Sequence, residues 1–160
     1  DLARLTDAFY IGGTKCGALF GEALVLGNPA LQDHFRTCMK QRGDVLAKGW
    51  LMGLQFYTLF QNGLYFDLAR RADRQAMEIK AAFQKAGIPL WVDSPTNQQF
   101  AVVSREQEAA LGKDFIFELS HAVDAAHNCI RFCTSWSTRN EEVAALIVAI
   151  ESLPGCEEAK

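Results

Sequence analysis

The strongest constraint on this chain is one long apolar stripe. Between Asp67 and Ala86 the residues Leu68, Ala72, Ala76, Ile79 and Phe83 recur three or four positions apart, with Arg70, Arg71, Asp73, Arg74, Glu78 and Lys80 largely outside the row. That spacing predicts a helix with a single apolar face, and such a face must be covered by another layer. Gly87 supplies a stop and Ile88-Pro89 an extended exit.

On the C-terminal side the pattern is α+β. Pro89 to Val92 and Gln99 to Val103 read as strands around an Asp93-Ser94-Pro95-Thr96-Asn97 turn, with Phe115 to Leu119 and Cys129 to Thr134 as two more. Ser104 to Gln107 has the form of a capping box for a short helix to about Leu111, and Thr138 to Glu141 that of a second. The second box opens a helix buried through Val143, Leu146, Ile147 and Ile150. On the N-terminal side, Phe9 to Ile11 and Ala23 to Leu26 are short apolar runs bounded by glycine, the pattern of buried strands. Asn28-Pro29 starts a helix to about Lys40, with proline at the favoured first position. From Trp50 to Gln61 the residues are apolar nearly all round, which predicts a helix buried on most sides, in a large core or a subunit interface.

With 49% hydrophobic and 22% charged residues and a net charge of -3, the composition is that of a globular domain. No basic stripe points to nucleic acid, and no apolar stretch approaches the ~20 residues of a transmembrane helix. Cys16, Cys38, Cys129, Cys133 and Cys156 are scattered without a Cys-x-x-Cys pair, so they read as reduced thiols of a cytoplasmic protein. The histidines, His34, His121 and His127, lack the spacing of a metal site, and no metal is expected. The opening Asp1 to Thr6 has no Met and reads as the end of a helix, so the chain is expected to begin inside a longer protein.

Chemistry concentrates at two places. In Phe9-Tyr10-Ile11-Gly12-Gly13-Thr14-Lys15-Cys16-Gly17-Ala18-Leu19-Phe20-Gly21, a strand delivers one lysine to a glycine turn. The ordinary reading is an exposed turn lysine; the chemical reading is an amine presented to a carbonyl group. A phosphate-loop reading fails, because Gly-x-x-x-x-Gly-Lys-Ser/Thr is absent. Arg131 stands in Cys129-Ile130-Arg131-Phe132-Cys133-Thr134-Ser135-Trp136, alternating with apolar residues. It is either a cation on the wet face of a half-buried strand or a planar fork for a carboxylate. Tyr57 and Tyr65 are either residues bordering an active site or core; aromatic residues in apolar helices are usually core.

The Gly-Gly-Thr-Lys segment, its Gly-Ala-Leu-x-Gly continuation and the Arg131 run resemble the pyridoxal-phosphate-dependent threonine aldolase and β-eliminating lyase family, of aspartate-aminotransferase-like fold type I. Thr96-Asn97 also resembles that family's small domain, and is read as structural. The resemblance implies an α/β fold in which residues 1–65 close the large cofactor domain and residues 66–160 form the linking helix and small α+β domain. It implies that Lys15 is the catalytic residue forming a Schiff base with pyridoxal 5'-phosphate, that Thr14 approaches the phosphate, and that Arg131 holds the substrate α-carboxylate. Cys16 departs from the small or polar residues usual there. The implied reaction is cleavage of the Cα–Cβ bond of a β-hydroxy-α-amino acid to glycine and an aldehyde. The alternatives are β-elimination on an amino acid, or an incomplete piece with a structural or partner-binding role. The family's phosphate cup, ring-stacking residue and pyridine partner lie upstream of its lysine, where this chain has only fourteen residues. Intact members are homodimers or homotetramers acting on a small amino acid.

Overall fold

The computed structural model describes residues 1–155; Cys156, one of the expected thiols, lies outside the described residues. The chain divides into two compact units, Asp1–Asp67 and Leu68 onward, with the division inside the first turn of the long helix.

The first unit opens with a single helical turn, α1 (Leu2–Leu5), and an antiparallel pair, β1 (Ala8–Gly12) and β2 (Glu22–Leu26), in which Ala8 faces Leu26 and Gly12 faces Glu22. Both strands fall where apolar runs predict them, but they are half-exposed rather than buried. Their residues alternate, Tyr10 and Leu24 turning outward at 69% and 52% exposure. The helix expected from Pro29 to Lys40 forms in two pieces. Asn28 caps a 3-10 turn over Pro29–Leu31 by accepting from Ala30 N, and α2 runs over Phe35–Gln41. Between them His34 takes a left-handed φ of 54°, which no α-helix can contain. Helix α3 (Trp50–Phe60) has the predicted extent, yet among the described residues it buries only Phe56 and Leu59. Trp50 and Tyr57 are 63% and 66% exposed, so the expectation of burial on most sides is not met within this chain.

The second unit is organised by α4 (Leu64–Lys85). Ala72, Ala76, Ile79 and Phe83 of the predicted stripe are buried, and Gly87 follows with φ 71°. The stripe covers a three-stranded antiparallel sheet of order β3-β5-β4, formed by β3 (Gln98–Ser104), β4 (Glu118–Ala122) and β5 (His127–Cys133). Alternation divides the sheet into two faces. Ala101, Val103, Ile130 and Phe132 point into a core shared with Ile79 and Phe83 of α4, Leu111 of α5 (Arg105–Leu111), and Val143, Leu146 and Ile150 of α6 (Asn140–Glu151). Gln98, Phe100 and Val102 lie on the opposite face, with Arg131 and Cys129 beside them in register. Burying each large apolar side chain contributes about 1.5–3 kcal/mol.

Three local expectations shift. Pro89 to Val92 is not a strand: only Leu90 bridges, to Ala101. The strand expected at Phe115 begins instead at Glu118, and an irregularity lies between Leu119 and His121. The second capping box moves on by one residue, so that Glu142 accepts from Arg139 N, while Thr138 Oγ1 accepts from Ser135 N. The Ser104–Gln107 box forms as read, each side chain accepting from the other's backbone N–H.

Polar bonds tie α4 to the end of β5. Thr134 Oγ1 donates to Ala72 O at 2.7 Å, and Gln75 Nε2 to Thr138 O at 3.1 Å. Asn97 Nδ2 donates to Thr134 O at 2.7 Å, the structural part read for the Thr96-Asn97 turn. No disulfide joins the described cysteines. No described helix is long and apolar enough to cross a membrane.

Phe83 is 0% exposed and its ring lies 5.9 Å from that of Phe132. Phe83→Ala is expected to cost about 3–5 kcal/mol of unfolding free energy in urea. Asp124 closes the β4–β5 turn, accepting from Ala126 N, His127 N and the His127 ring. The Ala126 backbone bond, and then the His127 ring, hold its carboxyl below the ordinary carboxylate value. A depressed folded-state pKa gives stability that is present above the unfolded value and lost as pH falls through the folded one. The stability gap between the native chain and Asp124→Asn should therefore be open at neutral pH and close in acid, as urea titrations across pH will show.

Candidate functional site

Lys15 is set on its turn by backbone bonds first. Cys16 N and Ala18 N both donate to Gly13 O, at 2.9 and 3.0 Å, closing a 3-10 turn over Thr14–Cys16. Gly17 leaves it at φ 101°, a conformation that costs a residue with a Cβ. Gly13 has no room for a side chain: a Cβ there would meet Ala18 Cβ at 2.6 Å and Phe56 Cζ at 3.0 Å. Gly12 has open space around the same position, so close packing constrains Gly13 and not Gly12.

Two side chains from the helices hold the loop. Gln55 of α3 accepts from Leu19 N at 2.7 Å and donates to Phe20 O at 3.3 Å. Tyr65, at the start of α4, donates to Gly12 O at 2.9 Å. Its hydroxyl also hydrogen-bonds Cys16; burial first, then that thiol, pushes the Tyr65 pKa up. Cys16 is thus a buried strut under the turn, and Tyr65 is half-buried rather than core. Thr14 and Lys15 point the other way. Both are exposed, and neither side chain has a protein partner among the described residues.

Arg131 belongs to the second unit, on the outward face of the central strand β5. Its Nη1 donates to Gln98 Oε1 at 3.0 Å and its Nη2 to Glu118, the residue directly opposite on β4. The arginine side chain is 33% exposed and the glutamate 65%, so the ion pair is open to water and worth about 0–1 kcal/mol. The sequence-predicted residues therefore form two groups, Thr14 with Lys15 in one unit and Arg131 in the other.

No protein-family model matches the chain. Over 149 residues it is 26% identical to the low specificity L-threonine aldolase of a Pseudomonas strain, covering 92% of this chain and 42% of that protein. Among solved structures it matches the threonine aldolase of Leishmania major with a TM-score of 0.90 and 39% identity, covering 94% of this chain and 44% of that one. The chain resembles the C-terminal portion of the threonine aldolases. It spans less than half the length of these two relatives, and the shared architecture is the α/β fold type I.

The groups around Lys15 are of the kind that could hold a carbonyl cofactor bearing a phosphate. An amine and a neighbouring hydroxyl are both unpartnered and exposed, above a loop whose interior is tightly filled. Sequence reasoning missed Gln55 as a loop clamp. A lone amide at the centre of Trp50-Leu51-Met52-Gly53-Leu54-Gln55-Phe56-Tyr57 was the available signal, because a polar group amid apolar neighbours needs a partner. It also missed Glu118, which no local pattern connects to Arg131.

Gly13→Ala tests the packing of this loop. Because the new methyl would meet Ala18 and Phe56, the expected cost is about 1–3 kcal/mol by denaturant titration. Gly12→Ala, with no neighbour within 4 Å, should leave stability nearly unchanged.

Proposed function

We propose that this chain supplies the cofactor lysine and the carboxylate-binding arginine of a pyridoxal-phosphate-dependent lyase. Its reaction is cleavage of the Cα–Cβ bond of β-hydroxy-α-amino acids, giving glycine and an aldehyde. The observation that carries the reading is the exposed, unpartnered Lys15 on a packed glycine turn, in a chain 39% identical to a threonine aldolase. The names of both relatives favour aldol cleavage over β-elimination. In this reading residues 1–65 close the large cofactor domain, and residues 66–160 form the linking helix and the small domain. The division of the chain into two compact units supports that arrangement.

Each residue has a chemical part. Lys15 Nζ would be the primary amine that holds the cofactor through its carbonyl group, and when not so engaged it would be free to hold or return a proton. Thr14 Oγ1 would be the hydroxyl donor to the cofactor's phosphate. Arg131 fixes the substrate α-carboxylate with parallel N–H bonds, which orients the Cα bond to be broken. Pyridoxal phosphate, when bound, supplies the electron sink for that bond. Gln55, Tyr65 and Cys16 keep the lysine turn closed.

The setting we propose is a cytoplasmic homodimer or homotetramer acting on a small amino acid. Described cysteines without disulfides and the exposed apolar residues of α3 support it.

The test is covalent trapping. The chain is mixed with pyridoxal phosphate, reduced with borohydride and mapped by mass spectrometry. Lys15 should carry the label in preference to the other lysines, and Lys15→Ala should lose that signal. Uniform labelling of all surface lysines, or an undiminished total in the Lys15→Ala chain, would remove Lys15 from the reading.

A further inference from the structure

Arg131 already grips a carboxylate of its own chain, and the way it does so has chemical meaning. A guanidinium holds a carboxylate with two parallel N–H bonds along one of two edges, Nη1 with Nη2 or Nε with Nη2. Nη2 serves both edges, with a different one of its two N–H groups on each. Glu118 sits on Nη2, while the neutral amide oxygen of Gln98 takes Nη1 at 3.0 Å. The two partners come from opposite sides of the central strand, Gln98 on β3 and Glu118 on β4. Glu118 faces Arg131 directly across the ladder, so its backbone position is fixed by the sheet rather than by a loose loop.

A structural role does not account for this glutamate. It is the first residue of β4 and its side chain is 65% exposed, so the pair is screened by water. The sheet is instead held by its inward face, where Ile130 is 0% exposed and Phe132 7%. A weak, exposed anion on the shared nitrogen of the fork can leave when another carboxylate arrives.

We propose that Glu118 is an internal competitor for the carboxylate site of Arg131, a specificity-determining residue that a ligand must displace. The proposal rests on the reading of Arg131 as a carboxylate binder. Gln98 keeps the guanidinium oriented during the exchange, because a neutral acceptor neither repels nor replaces the arriving anion. With Glu118 on Nη2, anions that offer only one weak contact are turned away, and a ligand capable of two parallel bonds is admitted. No bond is made or broken; one ion pair is exchanged for another.

The test is a glycine titration of the 160-residue chain, followed by NMR through the Arg131 side-chain signal and the β5 backbone amides. Glu118→Gln keeps the size and the hydrogen-bonding oxygen and removes the charge. It should bind glycine roughly two- to fivefold more tightly than the native chain, the range expected for removing an exposed ion pair. Direct competition persists when the Debye length falls from about 8 Å at 0.15 M salt to about 3 Å at 1 M, whereas a general field effect does not. Equal or weaker binding by Glu118→Gln, or a gain that vanishes in 1 M salt, overturns the competitor role and leaves the Arg131 reading intact. If Arg131→Gln and Arg131→Lys, checked for folding by the same spectra, bind glycine as the native chain does, the Arg131 reading itself fails. Absence of glycine binding by every form, Glu118→Gln included, overturns both.

Discussion

The position of Lys15 depends on the carboxamide of Gln55, which accepts from one loop residue and donates to the next, and so fastens the link between β1 and β2 to α3. A ribbon of two strands is marginal on its own, and the two backbone bonds to Gly13 O define only the first half of the link from Gly13 to Gly21. One amide with both polar ends engaged converts that link into a fixed object. Phe56, the next residue of α3, then fills the space at Gly13. Hydrogen bonding and packing thus arrive from the same turn of one helix, and Tyr65 secures the opposite end of the loop at Gly12.

Periodicity made most of the second unit legible, because its elements bury one face each. The α4 stripe, the alternation of β3 and the buried side of α6 all follow from the requirement that apolar faces be covered. The first unit was less legible for the same reason in reverse. Its strands and α3 read as buried because they are apolar, yet within this chain much of that surface is uncovered. Sequence reports the need for a partner layer but not whether the chain itself supplies it. His34 broke the expected Pro29 helix through a backbone angle that no composition signals.

The site residues divide along similar lines. Lys15, Thr14 and Arg131 could be singled out because short runs of unusual residue types surround them. Gln55, Tyr65 and Glu118 act across 36, 53 and 13 positions of sequence, respectively, and only the fold brings each to its partner. Cys16 illustrates the difference. As a letter it is an anomaly beside the lysine, while in space it is a buried thiol bonded to Tyr65 under the turn.

The irregularity in β4 has a consequence for the electrostatics of the sheet. Glu118 pairs with Arg131 and Leu119 with Ile130, but the next partner of β5, Cys129, is His121, so Ser120 is an extra residue in the ladder. That one-residue offset lets Glu118 and His121, three apart in sequence, share the outward face. In a strand without the extra residue, positions three apart would fall on opposite sides. The company that His121 keeps with the Glu118–Arg131 pair is therefore set by a counting step in the backbone, and straightening β4 with Ser120 paired in the ladder would part them without changing the identity of any charged residue.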